Sequence, residues 1–386
     1  MIKRTSSKTI KALFSKWPVV TLTGPRQSGK TTLCRSEFPK LPYVSLEDPD
    51  RRAYALEDPR AFVSEYASGA IFDEFQRVPD LPSYLQRLVD ENQRSGQFIL
   101  TGSQQLEVMA NVSQSLAGRT AILKLLPFDF AEVSKFVDLK NLDRLLLTGF
   151  YPRVHDKDLD PAQAYAAYFE TYIERDLRQL AAIRDLSLFQ RFVRCCAARV
   201  GGLLNLNDLA SDVGVSHSTI REWISLLEAS YIVYLHRPWS TNTTKRLTKS
   251  PKIYFYDVGL ACYLLGIENE SHVRSHPLRG SLFENMIVME VLKRRLNAGL
   301  SDNLFFYRDS NHIEVDLLAE HGAAVSLVEI KAASTPSGSF TKALKSFKNS
   351  FPTLEVAGHI VYTGESQKRS DWPLVHYTQL GELFGS

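Results

Sequence analysis

Residues 19–32 read VVTLTGPRQSGKTT, an apolar run ending at Thr23 with a glycine-rich loop directly after it. The loop matches the pattern G-x-x-x-x-G-K-[ST] without a gap. Glycines let backbone N–H groups curl around phosphates, and a helix that begins after the loop adds partial positive charge. We expect Lys30 to reach the β- and γ-phosphates of ATP and Thr31 to offer its hydroxyl to Mg²⁺. The predicted nucleotide contacts are Gly24, Pro25, Arg26, Gln27, Ser28, Gly29, Lys30, Thr31 and Thr32.

Two carboxylates, Asp73 and Glu74, end an apolar run that starts at Ala70. We expect Asp73 to hold Mg²⁺ through water and Glu74 to polarise the attacking water. The alternative is an ordinary solvated strand end. A third apolar run ends at Thr101, and the hydroxyl of Thr101 or Ser103 is a candidate to contact the γ-phosphate.

Arg119 lies at the corner between a predicted helix, 106–116, and a strand that begins at Ala121. We expect its side chain to project into a neighbouring subunit's nucleotide site, where it would stabilise transition-state charge. A surface arginine without such a role is the competing account. The first account predicts a homo-oligomer with ATP between subunits.

Short aliphatic runs alternate with helical or irregular segments up to about Leu126. Such runs are typical of parallel strands buried on both faces, so the pattern predicts an α/β sheet with helices on both sides. The runs are 19–23, 43–46, 70–73, 98–101 and 121–125. A mixed pattern near the C-terminus predicts further strands at 304–308, 313–319, 325–330 and 355–362.

The composition sets outer limits on the class of protein. A chain of 386 residues is too long for one core, so we expect two or three domains. The formal net charge of +3 means that any basic surface must be local. The four cysteines show no metal-ligand spacing and read as reduced thiols. No stretch approaches the ~20 apolar residues of a membrane span. We therefore expect a soluble, cytoplasmic protein that does not contact a membrane.

Residues 206–227 have the spacing of a helix-turn-helix, with Gly214 in the turn and Ser216 capping the second helix. The residues expected to face a nucleic-acid groove are His217, Ser218, Thr219 and Arg221. Segment 241–252 reads as a wing whose cations suit phosphate contacts, namely Lys245, Arg246, Lys249 and Lys252. The alternative is a lid or subunit contact with a solvated, lysine-rich loop.

The order of loop, acidic strand end, polar strand end and arginine resembles the AAA+ superfamily. More narrowly, the chain is similar to prokaryotic ATPases that couple an AAA+ module to a C-terminal domain of unknown function with a nuclease-like fold. The segments that carry this resemblance are 22–31, 43–49, 72–79, 100–104, 115–119 and 278–284. In related ATPases a Gly-x-Pro segment of the lid contacts the nucleotide. Residues 149–152, GFYP, are similar to it, which implies a nucleotide contact by Pro152. Relatives often carry isoleucine where this chain has Phe75, a difference that changes packing and not chemistry.

Asp316 lies on one predicted strand near the C-terminus, and Glu329 and Lys331 lie at the end of the next. This pattern resembles the PD-(D/E)xK nuclease superfamily, and alternation points Glu329 and Lys331 to one side of their strand. The resemblance implies that Asp316 and Glu329 hold Mg²⁺ and that Glu284 completes the metal shell. It implies that Lys331 orients the water or stabilises the pentavalent phosphate. A surface salt-bridge cluster, or a scaffold that has lost catalysis, are the alternatives.

The sequence thus predicts an α/β chain of four parts. They are an AAA+ core with a P-loop parallel sheet (1–135), a helical lid (136–185), a winged helix (186–258) and a mixed α/β, restriction-endonuclease-like domain (259–386). The leading hypothesis is an ATP-hydrolysing enzyme that acts on nucleic acid, with DNA favoured over RNA, and that carries a Mg²⁺-dependent nuclease. The alternative is an ATP-dependent signalling or assembly switch whose nuclease-like domain is a non-catalytic scaffold. A small-molecule kinase is disfavoured because no substrate-binding lid is evident.

Overall fold

Five aliphatic runs form one parallel sheet in the first part of the chain. The computed structural model describes residues 2–103, 115–172, 183, 185–242, 246, 249–322 and 324–382. The strands are β1 (Val19–Thr23), β2 (Tyr43–Ser45), β3 (Ala70–Asp73), β4 (Phe98–Gly102) and β5 (Thr120–Lys124). Their order is β2-β3-β4-β1-β5, with all neighbours parallel, so the predicted parallel sheet is confirmed. The carboxyl ends of β1, β3 and β4 therefore meet at one edge.

Helices cover both faces of this sheet because its central strands are apolar on both sides. Phe72 and Phe98 pack into a core on one face, whereas Ile71 and Ile99 pack into a separate core on the other. The helices are α1 (Ser7–Phe14), α2 (Lys30–Glu37), α3 (Pro49–Glu57), α4 (Pro59–Glu65) and α5 (Leu81–Asn92), with a 3-10 turn at Phe75–Arg77. Asp58 caps α4 by accepting the Ala61 N–H, and a proline stands at the first helical position.

A second group of helices follows the sheet and shares one large apolar core with the C-terminal helices. It comprises α6 (Phe130–Val133), α7 (Leu142–Thr148), α8 (Pro152–Asp156), α9 (Pro161–Tyr168) and α10 (Leu186–Ala197). The predicted helical lid, 136–185, contains α7, α8 and α9, whereas residues 173–182 and 184 lie outside the described residues. Four aromatic rings of this segment are buried in the large apolar core, namely Tyr165, Tyr168, Phe169 and Tyr172.

Two helices, α11 (Leu206–Val213) and α12 (His217–Ala229), occupy the segment predicted as a helix-turn-helix. We call them the helix pair. Gly214 ends α11 with a φ of +85°, in the left-handed region that favours glycine. Ser216 caps α12 by accepting the Thr219 N–H at 3.1 Å. Leu209 and Ile220 are fully buried between the helices and their surroundings. The positive φ of Gly214, the Ser216 cap and the buried apolar contacts therefore all support a turn between the two helices.

The remaining strands form a seven-stranded mixed sheet. They are β6 (Val233–Pro238), β7 (Lys252–Phe255), β8 (Leu304–Arg308), β9 (Glu314–His321), β10 (Ala324–Lys331), β11 (Glu355–Tyr362) and β12 (Leu374–His376), in the order β12-β11-β10-β9-β8-β6-β7. Strand β6 pairs antiparallel with β7 and parallel with β8. Because both edges of β6 are paired, the hairpin of β6 and β7, which flanks the predicted wing, is continuous with the C-terminal sheet. The predicted domain boundary at residue 258 therefore divides that sheet.

The C-terminal helices connect this sheet to the first part of the chain. They are α13 (Val258–Leu264), α14 (Glu270–Ser275), α15 (Arg279–Asn297) and α16 (Lys342–Ser350), with 3-10 turns at Gly338–Thr341 and Tyr377–Glu382. On α15, Lys293 donates to the Phe128 carbonyl at 2.8 Å, and Glu290 accepts the Phe130 N–H at 2.9 Å. Across the described ranges, no helix has both the length and the apolar character needed to cross a lipid bilayer.

Candidate functional site

The loop after β1 has two glycines in conformations that other residues rarely adopt. Gly24 has a φ of +144° and Gly29 a φ of +92°. A Cβ atom built on Gly24 would lie 2.1 Å from the Leu125 carbonyl oxygen, far inside van der Waals contact. Gly29 immediately precedes α2. The two glycines therefore allow the loop to fold tightly against β5 and deliver the N-terminus of α2 to the carboxyl edge of the sheet.

Lys30 is buried, and its ammonium group folds back onto the loop. Nζ donates to the Gly24 carbonyl at 2.9 Å and to the Pro25 carbonyl at 2.8 Å. Burial lowers the pKa of Lys30 to about 8, and the negative charges of Glu74 and Asp73 partly oppose this shift. The lysine charge is thus held inside the loop by neutral carbonyl groups, which an anionic phosphate can replace with a stronger interaction.

Asp73, at the end of β3, accepts hydrogen bonds from three hydroxyl groups. Thr31 Oγ1 donates to Oδ2 at 2.8 Å, Tyr43 OH donates to Oδ2 at 2.6 Å, and Thr101 Oγ1 donates to Oδ1. These partners come from α2, β2 and β4, the elements beside or above β3. The structure therefore brings Thr31 and Asp73 together as the sequence predicts. It places the Thr101 hydroxyl on Asp73.

Glu74 follows in a left-handed conformation, with a φ of +54°. This turn aims its carboxylate along the sheet edge, where Oε2 accepts from Gln76 Nε2 at 2.5 Å and from Ser103 Oγ at 3.2 Å. Ser103 is almost completely buried. The serine predicted to contact the γ-phosphate thus orients Glu74 in this structure.

The oxygen atoms at this edge fit a magnesium ion. Mg²⁺ prefers hard oxygen ligands, keeps several waters and usually takes one or two protein ligands besides phosphates. The Thr31 hydroxyl and the Asp73 carboxylate, already in contact, supply such ligands. The predicted Mg²⁺ residues of the loop are therefore compatible with the ion in type and in placement.

Two residues outside the loop motif support this edge. Arg4 is buried and donates to the Ser28 carbonyl at 2.6 Å, to the Leu126 carbonyl at 2.7 Å and to Glu132 at 2.8 Å. It therefore fixes the back of the loop to the segment after β5. Arg4 belongs to no motif, and Tyr43 begins the segment 43–49 of the family resemblance without an assigned role, so sequence reasoning misses what each residue does. The signal for Tyr43 is its position on the strand beside β3.

A cavity of about 330 Å³ lies beside the loop. Gln27 contributes to it from the loop, and Tyr151 and Arg153 contribute from either side of Pro152. Helix α9 and the turn after it add Tyr168 and Thr171. Pro152 itself begins α8 and is half-buried. Thr32 is exposed on α2. Residues on either side of Pro152 thus share a cavity with the loop, and the nucleotide contact by Pro152 itself stays a prediction.

Arg119 lies at the opposite edge of the sheet. It precedes β5, at the amino end of the parallel strands, and forms a bidentate ion pair with Asp90 at 2.6 and 2.8 Å. Most of the predicted helix before it, 104–114, lies outside the described residues. The arginine is therefore remote from its own chain's loop. Its action in a neighbouring subunit stays a prediction, which a mass measurement with and without ATP would test.

The predicted nucleic-acid contacts divide into exposed and internal residues. On α12, Ser218 and Arg221 are exposed and His217 is half-buried, and Lys249 is exposed in the following loop. Arg246 instead donates to Glu320 at 2.6 and 2.8 Å and packs over the rings of Trp239 and Phe305. This differs from the predicted phosphate contact, because a carboxylate and two aromatic rings already engage the guanidinium group. Lys245 lies outside the described residues.

Lys252 also differs from its predicted role as a phosphate contact of the wing. It is 3% exposed, and its Nζ lies 2.7 Å from Glu284, 2.5 Å from Glu314 and 3.9 Å from Asp316 Oδ1. Tyr254 OH also donates to Glu284. We call these residues, with Glu329 and Lys331, the lysine–carboxylate cluster. Strand β7 brings Lys252 here because the hairpin belongs to the C-terminal sheet.

The residues of the nuclease-like pattern contact one another on the other side of this cluster. They are Asp316, Glu329 and Lys331. Lys331 Nζ lies 2.5 Å from Glu329 Oε1 and 3.6 Å from Asp316 Oδ2, and Asp316 Oδ2 also accepts the Ile330 N–H at 2.8 Å. Burial raises the pKa of Glu329 to about 8, and repulsion from Asp316 adds to the shift. Burial likewise raises the pKa of Glu284 to about 7. The predicted residues are therefore adjacent, but in a strongly desolvated, lysine-containing setting.

Comparison with known proteins gives the family context. Residues 16–134 match the family described as AAA domain, while 139–271 and 279–380 match domains of unknown function, DUF8612 and DUF4143. An uncharacterized protein of Mycobacterium tuberculosis is 32% identical over 368 residues, 94% of this chain and 80% of that protein. An uncharacterized protein of Haemophilus influenzae is 22% identical over 68% of this chain and 65% of that protein. Among solved structures, a Walker-type ATPase of Pyrococcus abyssi gives a TM-score of 0.49 at 13% identity, covering 68% of this chain and 96% of that one.

Proposed function

The chain belongs to the family of the mycobacterial protein and carries an AAA domain of the P-loop ATPase class, and from this premise we propose that it hydrolyses ATP at the loop of residues 24–31. One observation carries the proposal: Thr31 Oγ1 lies 2.8 Å from Asp73 Oδ2, with Glu74 next in the chain. This contact joins the end of the phosphate loop to the acidic end of β3, which is the arrangement that a triphosphate with its metal ion requires.

Each residue at this edge has a distinct part in the reaction. Lys30 exchanges its two carbonyl partners for phosphate oxygens, and Thr31 and Asp73 would hold a Mg²⁺ ion. The ion would supply positive charge against the β- and γ-phosphates. Glu74 accepts a proton from the attacking water, and Ser103 keeps the Glu74 carboxylate aimed at it. Catalysis thus depends on the orientation of the reacting groups and on the charges around them. The carboxyl edge of the sheet fixes both before ATP binds.

The cavity beside the loop suits the nucleoside part of ATP. It is open to the loop through Gln27 and has aromatic walls at Tyr151 and Tyr168. Those two tyrosines are joined by a hydrogen bond of 2.9 Å between their hydroxyl groups, so the wall is held in place. An aromatic wall with a few polar groups is typical of a site for a planar, apolar-faced ligand group. This location would make the lid segment around Pro152 sensitive to nucleotide.

Replacing Lys30 with alanine is expected to lower ATP turnover about 100-fold or more, because the charge on the transferred phosphate loses a buried cation. Phosphate release and binding of a fluorescent ATP analogue measure the effect. The matched control is Lys40→Ala, since Lys40 is an exposed lysine just beyond α2. Unchanged turnover in a folded Lys30→Ala protein would remove the proposed site.

The protonation of Lys30 adds a check on the wild-type chain. Because burial lowers the pKa of Lys30 to about 8, the ammonium form is lost as the pH rises above that value. ATP affinity is therefore expected to fall between pH 7 and 9. A Lys30→Arg protein keeps its charge over this range, and its affinity should depend less on pH.

The nucleotide site is joined directly to the helix pair. Thr23 Oγ1, at the end of β1, lies 2.9 Å from Tyr231 OH, and both groups are buried. Tyr231 follows α12 and has a φ of +57°, an uncommon conformation for a bulky residue. A movement of the loop at Gly24 would therefore be transmitted through the Thr23–Tyr231 contact to the turn that follows α12. We include coupling of nucleotide state to the helix pair in the proposal.

Nucleic acid is the proposed partner of the helix pair. The first turn of α12 presents Ser218 and Arg221 to solvent, and its N-terminus is capped by Ser216. An exposed arginine near a helix N-terminus suits phosphate contact, which positions a protein on a duplex without reading its sequence. The internal use of Arg246 and Lys252 reduces the cations available, so among the residues that the structure describes this surface depends mainly on Arg221 and Lys249.

Retention of labelled duplex DNA on a filter is expected to weaken from 50 to 200 mM salt, as phosphate contacts require. Arg221→Ala should lower the slope of log affinity against log salt by about 1. Arg51→Ala removes an exposed arginine from α3 and serves as the control. Retention that is absent at every salt concentration would contradict the nucleic-acid proposal.

That negative result would favour a second candidate function, an ATP-dependent assembly switch. The observation that favours the switch is the internal pairing of two cations with carboxylates. Arg246 pairs with Glu320, and Lys252 pairs with Glu284 and Glu314. These cations hold the hairpin to the C-terminal sheet, as expected for a scaffold that transmits movement. The switch keeps the same ATP site, so the Lys30→Ala result is common to both candidates and the filter experiment separates them.

A further inference from the structure

The lysine–carboxylate cluster contains a cation in the place where the sequence pattern predicts a metal ion. Lys252 Nζ contacts carboxylates from two different elements, Glu284 on α15 and Glu314 on β9. It also faces Asp316 Oδ1 at 3.9 Å. Only 3% of Lys252 is exposed, so water does not share this position freely. The ammonium group therefore lies against two of the three acidic residues that the nuclease-like pattern assigns to a metal shell, Glu284 and Asp316, and against Glu314.

One carboxylate oxygen of each predicted metal ligand is also engaged, whereas Glu329 Oε2 is buried and has no hydrogen-bond partner among the described residues. Glu284 Oε1 accepts from both Lys252 and Tyr254. Asp316 Oδ2 accepts the Ile330 N–H and faces Lys331. Within the described ranges, no three Asp, Glu, His or Cys side chains are arranged to hold a metal ion. A divalent ion would have to displace a buried ammonium group and break these contacts, so the residues present do not fit it.

We infer that Lys252 permanently takes the metal position and that the C-terminal domain is a metal-free, lysine-neutralised scaffold. The lysine acts as an internal counter-ion that fixes β7 to α15 and β9. The hairpin next to the helix pair is thereby joined to the C-terminal sheet through charge as well as through strand pairing. The domain accordingly carries out no Mg²⁺-dependent cleavage of phosphodiesters. This inference concerns a site separate from the loop at Gly24 and does not depend on ATP hydrolysis.

Binding of Mn²⁺ to the nucleotide-free chain tests the inference directly. Free and bound Mn²⁺ are measured by electron paramagnetic resonance in the wild-type chain and in Asp316→Asn. The two proteins are expected to bind the same amount, because Asp316 holds no ion. Any Mn²⁺ bound at Asp73 is common to both and cancels. Mn²⁺ that is present in the wild type and lost in Asp316→Asn would overturn the inference.

Removing the Lys252 ammonium group tests the inference from the opposite direction, because a metal ion can then occupy its place. Lys252→Met should create an Mn²⁺ site at least 10-fold tighter than any in the wild-type cluster, and adding Asp316→Asn should abolish the gain. Lys252→Arg keeps the cation and should keep the site closed. Lys331→Met, which removes the other lysine but leaves Lys252, should gain no site. If Lys252→Met does not fold, the charge-balanced Lys252→Met/Glu314→Gln protein replaces it, because Glu314 pairs with Lys252 but is not one of the predicted metal ligands. A folded variant of either kind without the gain would overturn the inference.

Discussion

Replacing Glu74 with glutamine is expected to slow ATP turnover about 10²- to 10⁴-fold while leaving ATP bound. Glutamine has nearly the same shape and can still contact Ser103, whose hydroxyl lies 3.2 Å from Glu74 Oε2. It cannot accept the proton of the attacking water. The hydrogen bond between Thr31 and Asp73 is unchanged. Phosphate release should fall to near background, whereas the affinity for a fluorescent ATP analogue should stay within a few-fold of the wild type.

The matched control for this change is Glu47→Gln. Glu47 is an exposed glutamate of the same domain, and its nearest cation, Arg77, is 3.9 Å away. Its replacement should leave both turnover and binding as they are. Turnover that survives in Glu74→Gln would show that another group accepts the proton. Loss of ATP binding in Glu74→Gln would show that the residue shapes the loop, and either result contradicts the proposed role.

The second large effect, a loss of stability, is expected for Gly149→Ala at the first residue of the GFYP segment, 149–152. Gly149 has a φ of +58°, and a Cβ atom there would lie 2.2 Å from Asp257 Oδ1 and 2.2 Å from Tyr165 OH. Asp257 is 1% exposed and accepts the Phe150 N–H at 2.7 Å. The methyl group must push a buried carboxylate off its donors. We expect the free energy of unfolding to fall by about 3 kcal/mol or more, from overpacking and lost hydrogen bonds together.

Gly118→Ala separates packing from backbone strain. Gly118 also has a positive φ, +74°, but a Cβ atom there meets no atom within 4 Å. Its replacement should cost only the strain of the left-handed conformation, about 1–2 kcal/mol. Urea unfolding of both variants and the wild type measures the difference. Equal losses in the two variants would contradict the role assigned to Asp257 and Tyr165 around Gly149.

Much of the first sheet follows from local pattern alone. Each predicted strand lies within about a residue of its observed bounds, as for β1 at Val19–Thr23 and β3 at Ala70–Asp73. A short aliphatic run flanked by glycine or polar residues has few other stable conformations in a chain that alternates with helices. The chemistry of the loop is equally local, because Gly24, Gly29 and Lys30 act through their own backbone and neighbours.

The partners of charged residues could not be predicted in this way. Lys252 and Arg246 stand in a basic stretch that reads as a solvated wing. Both contact carboxylates that are distant in the chain, at Glu284, Glu314 and Glu320. A lysine in a sequence specifies a charge and a reach, whereas burial and strand pairing choose the carboxylate. The same limit applies to Tyr43 and Arg4, whose contacts depend on which elements become neighbours.

The sequence by itself determined that this chain has a phosphate-binding loop on a parallel sheet, because glycine conformations and apolar runs act over a few residues. The tertiary structure alone decided that β6 and β7 extend the C-terminal sheet and carry Lys252 into its acidic cluster. That outcome depends on pairing between distant strands, and on the large cost of burying a carboxylate without a cation nearby.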